Sequence, residues 1–233
     1  MAMPELFVNK LIARLPRKER AQILLQCESI ELIFGTVLCE PDQQLAHVYF
    51  PLTGFISLVE FTENHPPLEI CLIGSEGMLG ATQVLGLDMA SQRAEVRGSG
   101  RALRMSATKF RRELRNNPAL LTTLNRYLYV VVAQLSTTVA CTHFHQIEPR
   151  LARWLLMSHD RAHADHFHLT HKFLADMLGV QRSAITIAAG SLQKRELIHY
   201  IRGEISIVDR KGLEAASCPC YNTALDDYAR VFT

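Results

Sequence analysis

The stretch from His171 to Gly190 leaves this chain the least freedom. Leu174 and Leu178 stand four apart and give a helix one apolar stripe, Ala175 is small enough for a second helix to approach, and Gly179, followed by Val180, tolerates the positive φ of a tight turn. Ile185, Ala188 and Leu192 then repeat at three and four, so a second helix buries that side and leaves Gln181, Arg182, Ser183 and Thr186 outward. A helix-turn-helix reads base edges with the N-terminal residues of its second helix, and short polar groups with one Arg suit that work. The bland alternative is an ordinary helical hairpin. Leu197 to Val208 follows as two β-branched runs turning at Arg202-Gly203-Glu204, which is a hairpin signal. Helix, turn, helix and hairpin make a winged helix, with Arg202 at the tip either in reach of a phosphate or simply solvated, as charged turn residues often are.

A chain of 233 residues, 48% hydrophobic and 21% charged, has room for two modest domains with real cores. It contains no apolar run near the roughly 18 residues that span a bilayer, and Glu5, Lys10 and Arg14 interrupt the opening stretch where a signal peptide would be continuous. The expected setting is the cytoplasm, away from membranes. A net charge of only +2 excludes a general polyanion binder. Residues 148–212 nevertheless carry ten Lys and Arg against seven Asp and Glu. So small an excess calls for a dimer on double-stranded DNA, with affinity that falls as salt rises.

In chain order, Asn9 to Gln26 reads as two short helices meeting at Pro16, capping the first domain. Ser29 to about Ser106 is a series of short β-rich runs, Ile30–Phe34, Val37–Cys39, His47–Phe50, Phe55–Phe61, Leu68–Ile73, Ala94–Arg97 and Ala102–Met105, with glycines at 35, 54, 74, 77, 80, 86, 98 and 100 between them. Such spacing predicts an antiparallel sandwich or jelly roll. Thr108–Asn117 is a basic helix ending before Pro118. A long helix to about Phe144 then carries Leu121, Leu124, Leu128, Val131 and Leu135 as a dimer seam, with Val132 and Val139 on the adjoining stripe. A hinge falls between Thr142 and Glu148, and Pro149 suits the first turn of the next helix. The expected fold is α+β: a β-roll sensor over 1–118, a dimerisation helix and hinge over 119–146, a winged helix-turn-helix over 147–217, and a polar, acidic tail over 218–233.

With β-roll, long helix and winged helix in that order, the chain resembles the Crp-Fnr family of bacterial transcription regulators, most firmly over 169–208. The resemblance implies a homodimer on a palindromic operator, paired long helices, RNA polymerase as a partner, and a β-roll that senses a small molecule or redox state. It implies that Arg182 contacts a guanine. The nearby Glu and second Arg of the cyclic-AMP receptor pattern are here Ser183 and Ile187, which points to a different operator. In the sensor, the Gly-Glu turn that would hold a ribose is Gly80-Ala81, and the later segment reads Ser91-Gln92-Arg93-Ala94. The corresponding effector pocket comprises Glu76, standing in from the Gly74–Gly77 turn, Gly80, Arg93 facing an anion, and Leu135, with Ser136 beside it, where a Thr would contact adenine. An unpaired buried polar contact costs about 1–3 kcal/mol, so this set disfavours cyclic AMP. The effector is an unknown small molecule, or none.

Other constellations carry less. Cys27, Cys39 and Cys71 are too far apart for an oxygen-sensing iron–sulfur cluster, and the six cysteines stand mostly in apolar context, as buried reduced thiols do. His159, His163, His166, His168 and His171, with Asp160 and Asp165, crowd the entry to the winged helix, and the spacing of His159 and His163 suits a metal. With no second ligand pair fixed, a solvated connector is the simpler reading, and no metal or cofactor is assigned. Cys218-Pro219-Cys220 is the one close cysteine pair, structural or redox. Neither a nucleophile elbow nor a phosphate loop appears, so catalytic residues are not expected. The rival to a DNA-binding regulator is a small-molecule or metal sensor that uses the helical module as a protein adaptor.

Overall fold

Asn9 anchors the start of the chain in both directions. Its side-chain oxygen accepts from the N–H groups of Leu11 and Ile12 and caps α1 (Lys10–Ala13), while its amide donates to the carbonyls of Pro51 and Gly77. Pro16 lies immediately before α2 (Arg17–Gln26). The computed structural model describes residues 8–162 and 166–232.

Five strands follow: β1 (Glu28–Leu32), β2 (Val37–Cys39), β3 (His47–Glu60), β4 (Leu68–Ile73) and β5 (Arg93–Ser106). They form one sheet in the order β1-β5-β3-β4, with β2 also on β5, and β5 pairs antiparallel with β1 (Ile30 opposite Ala102) and with β2. β3 and β5 are each 14 residues long, where the sequence predicts two short strands apiece. Gly54, Gly98 and Gly100 do not end strands. They let two backbones approach: a Cβ on Gly54 would meet the carbonyl of Gly98, and one on Gly100 the carbonyl of Thr53. Phe50, Phe55, Ile56, Met78, Met105 and Phe110 fill the core of this part, Phe50 meeting Phe110 edge to face.

Ser106 caps α3 (Ala107–Asn116), and α4 (Pro118–Phe144) runs 27 residues. Its inner face is Leu120, Leu124, Tyr127 and Val130, all buried within the chain. Leu124, expected in the dimer seam, is therefore buried within the single chain, on the same stripe as Leu120, Tyr127 and Val130. The apolar groups left outward lie one position along: Leu121, Val132 and Val139 are exposed, with Leu128 and Leu135 half-buried.

The rest comprises α5 (Ile147–Ala162), β6 (His166–His168), α6 (His171–Leu178), α7 (Arg182–Lys194), β7 (Ile198–Ile201), β8 (Glu204–Ile207), α8 (Arg210–Ala216) and α9 (Cys220–Phe232), with a second sheet ordered β6-β8-β7. One core runs through it, built on Leu151, Leu155, Leu174, Ile185, Leu192, Ile205 and Leu213. The expected acidic tail is α9, whose Tyr221, Ala224 and Phe232 are buried. Spatially the chain divides in two: one unit takes in the described residues to Leu58 and Leu72–Val131, the other Val59–Cys71 and the described residues from Val132 onward. None of the helices among the described residues is long and apolar enough to cross a membrane.

Candidate nucleic-acid interface

The local rules that build α6 and α7 also aim their side chains. The Thr170 hydroxyl accepts from the N–H of Phe173 and starts α6, and Gly179, at φ 64°, ends it with its own N–H bonded back to Asp176 O. Val180 N–H returns to Ala175 O, and two residues later the chain is helical again. Ile185, Ala188 and Leu192 point into the core. That fixes the opposite face of α7: Arg182, Ser183, Thr186 and Ile187 are exposed, Ile187 at 75%. Gln181, at the N-cap, makes no side-chain capping bond and is also exposed. The five residues chosen from sequence thus include four on one exposed helix start; the fifth, Arg202, is at the wing.

Between β7 and β8 the turn is Arg202-Gly203, both with positive φ (52° and 91°), the primed geometry that matches strand twist. The turn presents Arg202 to solvent on the same side as the start of α7. A cleft is lined there by Thr170, His171, Lys172, Arg182, Tyr200, Arg202 and Gly203. Neither Arg182 nor Arg202 has an ion-pair partner among the described residues, whereas Lys172 pairs with Asp176. Two free guanidiniums beside exposed hydroxyls and a helix N-terminus make an anion-seeking surface.

Five cleft residues lay outside the sequence-based set, among them Lys172, Tyr200 and His171. The imidazole of His171 stacks on the Tyr200 ring, centroids 4.4 Å apart, and its Nδ1 is 3.0 Å from Thr186 Oγ1. Burial and then the charge of Arg182 hold His171 below the usual histidine range. A Lys at the first turn of α6 was a readable signal; the His171–Tyr200 stack joins residues 29 apart and had none.

The other singled-out histidines are engaged elsewhere. His168 Nδ1 lies 2.6 Å from Glu204, and His159 meets Arg210, whose guanidinium also donates to Asp160 and to the Tyr221 hydroxyl. His163 and Asp165 lie outside the described residues, and so does the side chain of His166. In the β-roll, Arg93 donates twice to the Glu40 carboxylate at 2.8 Å, Glu76 accepts from Gly74 N–H, and Gly80, at φ 91°, lies against Val48. In the long helix Leu135 is half-buried, and the exposed Ser136 hydroxyl donates to Val132 O.

The family model of the Crp-like helix-turn-helix domain matches residues 149–216. No curated protein matches the chain in sequence. Solved structures do match in fold. A Crp/Fnr-family transcriptional regulator from Thermus thermophilus superposes with a TM-score of 0.67 at 22% identity, over 82% of this chain and 98% of its own. A candidate Crp/Fnr-family regulator from Eubacterium rectale reaches 0.68 at 15% identity, over 89% and 97%. The c-di-GMP-responsive global regulator CLP of Xanthomonas campestris gives 0.66 at 14%, over 82% and 99%. Residues 149–216 match the model of the Crp-like helix-turn-helix domain, and the chain has the fold of the Crp/Fnr transcriptional regulators.

Proposed function

We propose that this chain is a sequence-specific DNA-binding transcription regulator rather than an enzyme, acting in the cytoplasm as a homodimer on a palindromic operator. The observation that carries the reading is the exposed start of α7, with Arg182, Ser183 and Thr186, beside a wing whose tip is the unpaired Arg202. Arg182 reads a guanine, Ile187 packs on a thymine methyl, and Arg202 holds a phosphate. Two modules on one duplex need two-fold symmetry, and the outward stripe Leu121, Leu128, Val132, Leu135 and Val139, spaced by seven, four, three and four, is the seam for a second copy. RNA polymerase is the partner such a bound dimer would meet.

Cyclic AMP does not fit the sensor. Ala81 offers no acceptor to a ribose hydroxyl, and the guanidinium of Arg93, the phosphate-facing candidate, is taken by Glu40. A ligand at Glu76, Gly80 and Arg93 would be of different chemistry, and regulation by abundance alone needs no ligand.

The test is selection of genomic DNA by the purified protein without added effector, at about physiological salt, followed by footprinting. A symmetric protected site with half-sites about one helical turn apart is the expected result. Binding without a slope in salt, or no enrichment at all with and without cell extract, would overturn the reading in favour of a protein adaptor.

A further inference from the structure

Four side chains that the DNA-binding surface does not use converge where α4 ends. Cys141 lies in the last turn of α4, and His145 follows it at i+4, its N–H bonded to Cys141 O, so both face the same way. Cys218 and Cys220 flank Pro219 at the junction of α8 and α9, where Cys218 N–H is bonded to Pro149 O in the first turn of α5. The Sγ atoms of Cys141 and Cys218 are 3.5 Å apart, and Cys220 Sγ is 3.6 Å from His145 Nδ1. All four candidate ligand atoms lie within 4.8 Å of one another.

Those distances match a specific polyhedron. Bonds of about 2.3 Å from zinc to sulfur and about 2.0–2.1 Å to imidazole nitrogen give tetrahedron edges of roughly 3.5–3.8 Å. Two of the separations already have that length, and about 1 Å of closure brings in the widest pair. A polynuclear iron–sulfur cluster distributes its cysteines over different irons and needs a broader cage. The three cysteines are buried, and all are free thiols. Three thiolates around a divalent ion leave one net negative charge, which needs a cation nearby. Arg153 supplies it: it is buried, its Nε has no hydrogen-bond partner among the described residues, and its charge acts on all three thiols.

We propose that Cys141, His145, Cys218 and Cys220 bind one thiophilic divalent cation, with zinc as the natural occupant, which clamps the end of α4 to the turn between α8 and α9. Four protein ligands close the coordination sphere, so the ion is structural, with no open position for water or substrate. Loading three protonated thiols releases three protons as three metal–sulfur bonds form, with no change of oxidation state. The clamp stands whether or not the DNA-binding reading does.

The experiment is metal analysis of the full chain purified under reducing conditions from zinc-supplemented medium, together with titration of the chelator-treated protein by Co²⁺. The expected results are about one zinc per chain, visible thiolate–cobalt bands that saturate at about one equivalent, and a thermal midpoint that rises when Zn²⁺ is restored. Cys220→Ser and His145→Gln, checked for folding by circular dichroism, should each weaken zinc binding by more than about 100-fold, beyond the 10–100-fold that loss of an outer-shell partner costs. Substoichiometric zinc with no cobalt bands in the reduced wild-type protein overturns the proposal. So does full zinc binding retained in both variants, or a Cys141–Cys218 disulfide formed in place of metal uptake. DNA binding enters none of these readouts, so failure here and failure of the regulator reading are separate results.

Discussion

The indole Nε1 of Trp154 donates a 2.6 Å hydrogen bond to a carboxylate oxygen of Glu69, and both residues are buried. Trp154 is the one tryptophan of the chain, so its emission reports the surroundings of this contact, the edge-on Phe173 ring included. Glu69→Ala leaves a buried N–H without its partner and should cost about 1–3 kcal/mol, with a red-shifted emission maximum if water enters. An unchanged spectrum and an unchanged melting midpoint would show that the bond contributes nothing in solution.

Arg182→Ala is expected to lose about 1–3 kcal/mol on the preferred operator and to relax one base position, measured by titrations against single-base operator variants. Arg202→Ala should weaken all sequences alike and lower the salt slope by about 1. If the two variants exchange behaviours, the wing reads bases and α7 holds the backbone.

On α4 the two apolar faces should answer differently to mutation. Val132→Glu with Val139→Glu places charge on the outward seam and is expected to shift the protein toward monomer in sedimentation while each chain stays folded. Leu124→Ala removes a fully buried side chain and should cost about 2–5 kcal/mol of stability with the dimer's assembly intact in the folded fraction. A folded dimer that survives both glutamates would place the interface elsewhere.

The His171 imidazole is held below its ordinary pKa by burial and by Arg182, so the unfolded chain binds the proton more readily than the folded one. Its contribution to stability is therefore complete above about pH 6.5, the unperturbed histidine value, and declines as pH falls below it. A bound phosphate acts in the opposite direction and favours the imidazolium. DNA affinity should rise as pH falls through that window, and His171→Asn should flatten the rise. Parallel titrations of wild type and variant at about pH 7.5 and about pH 6, on either side of that value, measure it; identical slopes would remove His171 from the interface.

What could be read from residues alone follows from the range over which each cause acts. The turn at Gly179 and the buried series Ile185, Ala188 and Leu192 are set by neighbours within a few positions, and local periodicity exposes them. Leu124 and Val132 both fit a three-four alternation on α4, and only the packing partner decides which faces inward. Gly54 and Gly98 look like punctuation because sequence shows their flexibility and hides the strand lying against them. The acidic residues of 213–233 concealed the apolar face of α9, since Tyr221, Ala224 and Phe232 are sparse among them. Cys141 and Cys218 are 77 residues apart, and no spacing rule joins them.

At the crossing of β3 and β5, Gly54, Gly98 and Gly100 are closed to every side chain, because the space a Cβ would need is filled by backbone or by the Phe55 ring. Pocket residues and the exposed face of α7 can be exchanged without touching that crossing. A side chain at Gly54 or Gly100 would push backbone aside and one at Gly98 would displace the Phe55 ring, whereas a change on the exposed face of α7 meets no such obstacle.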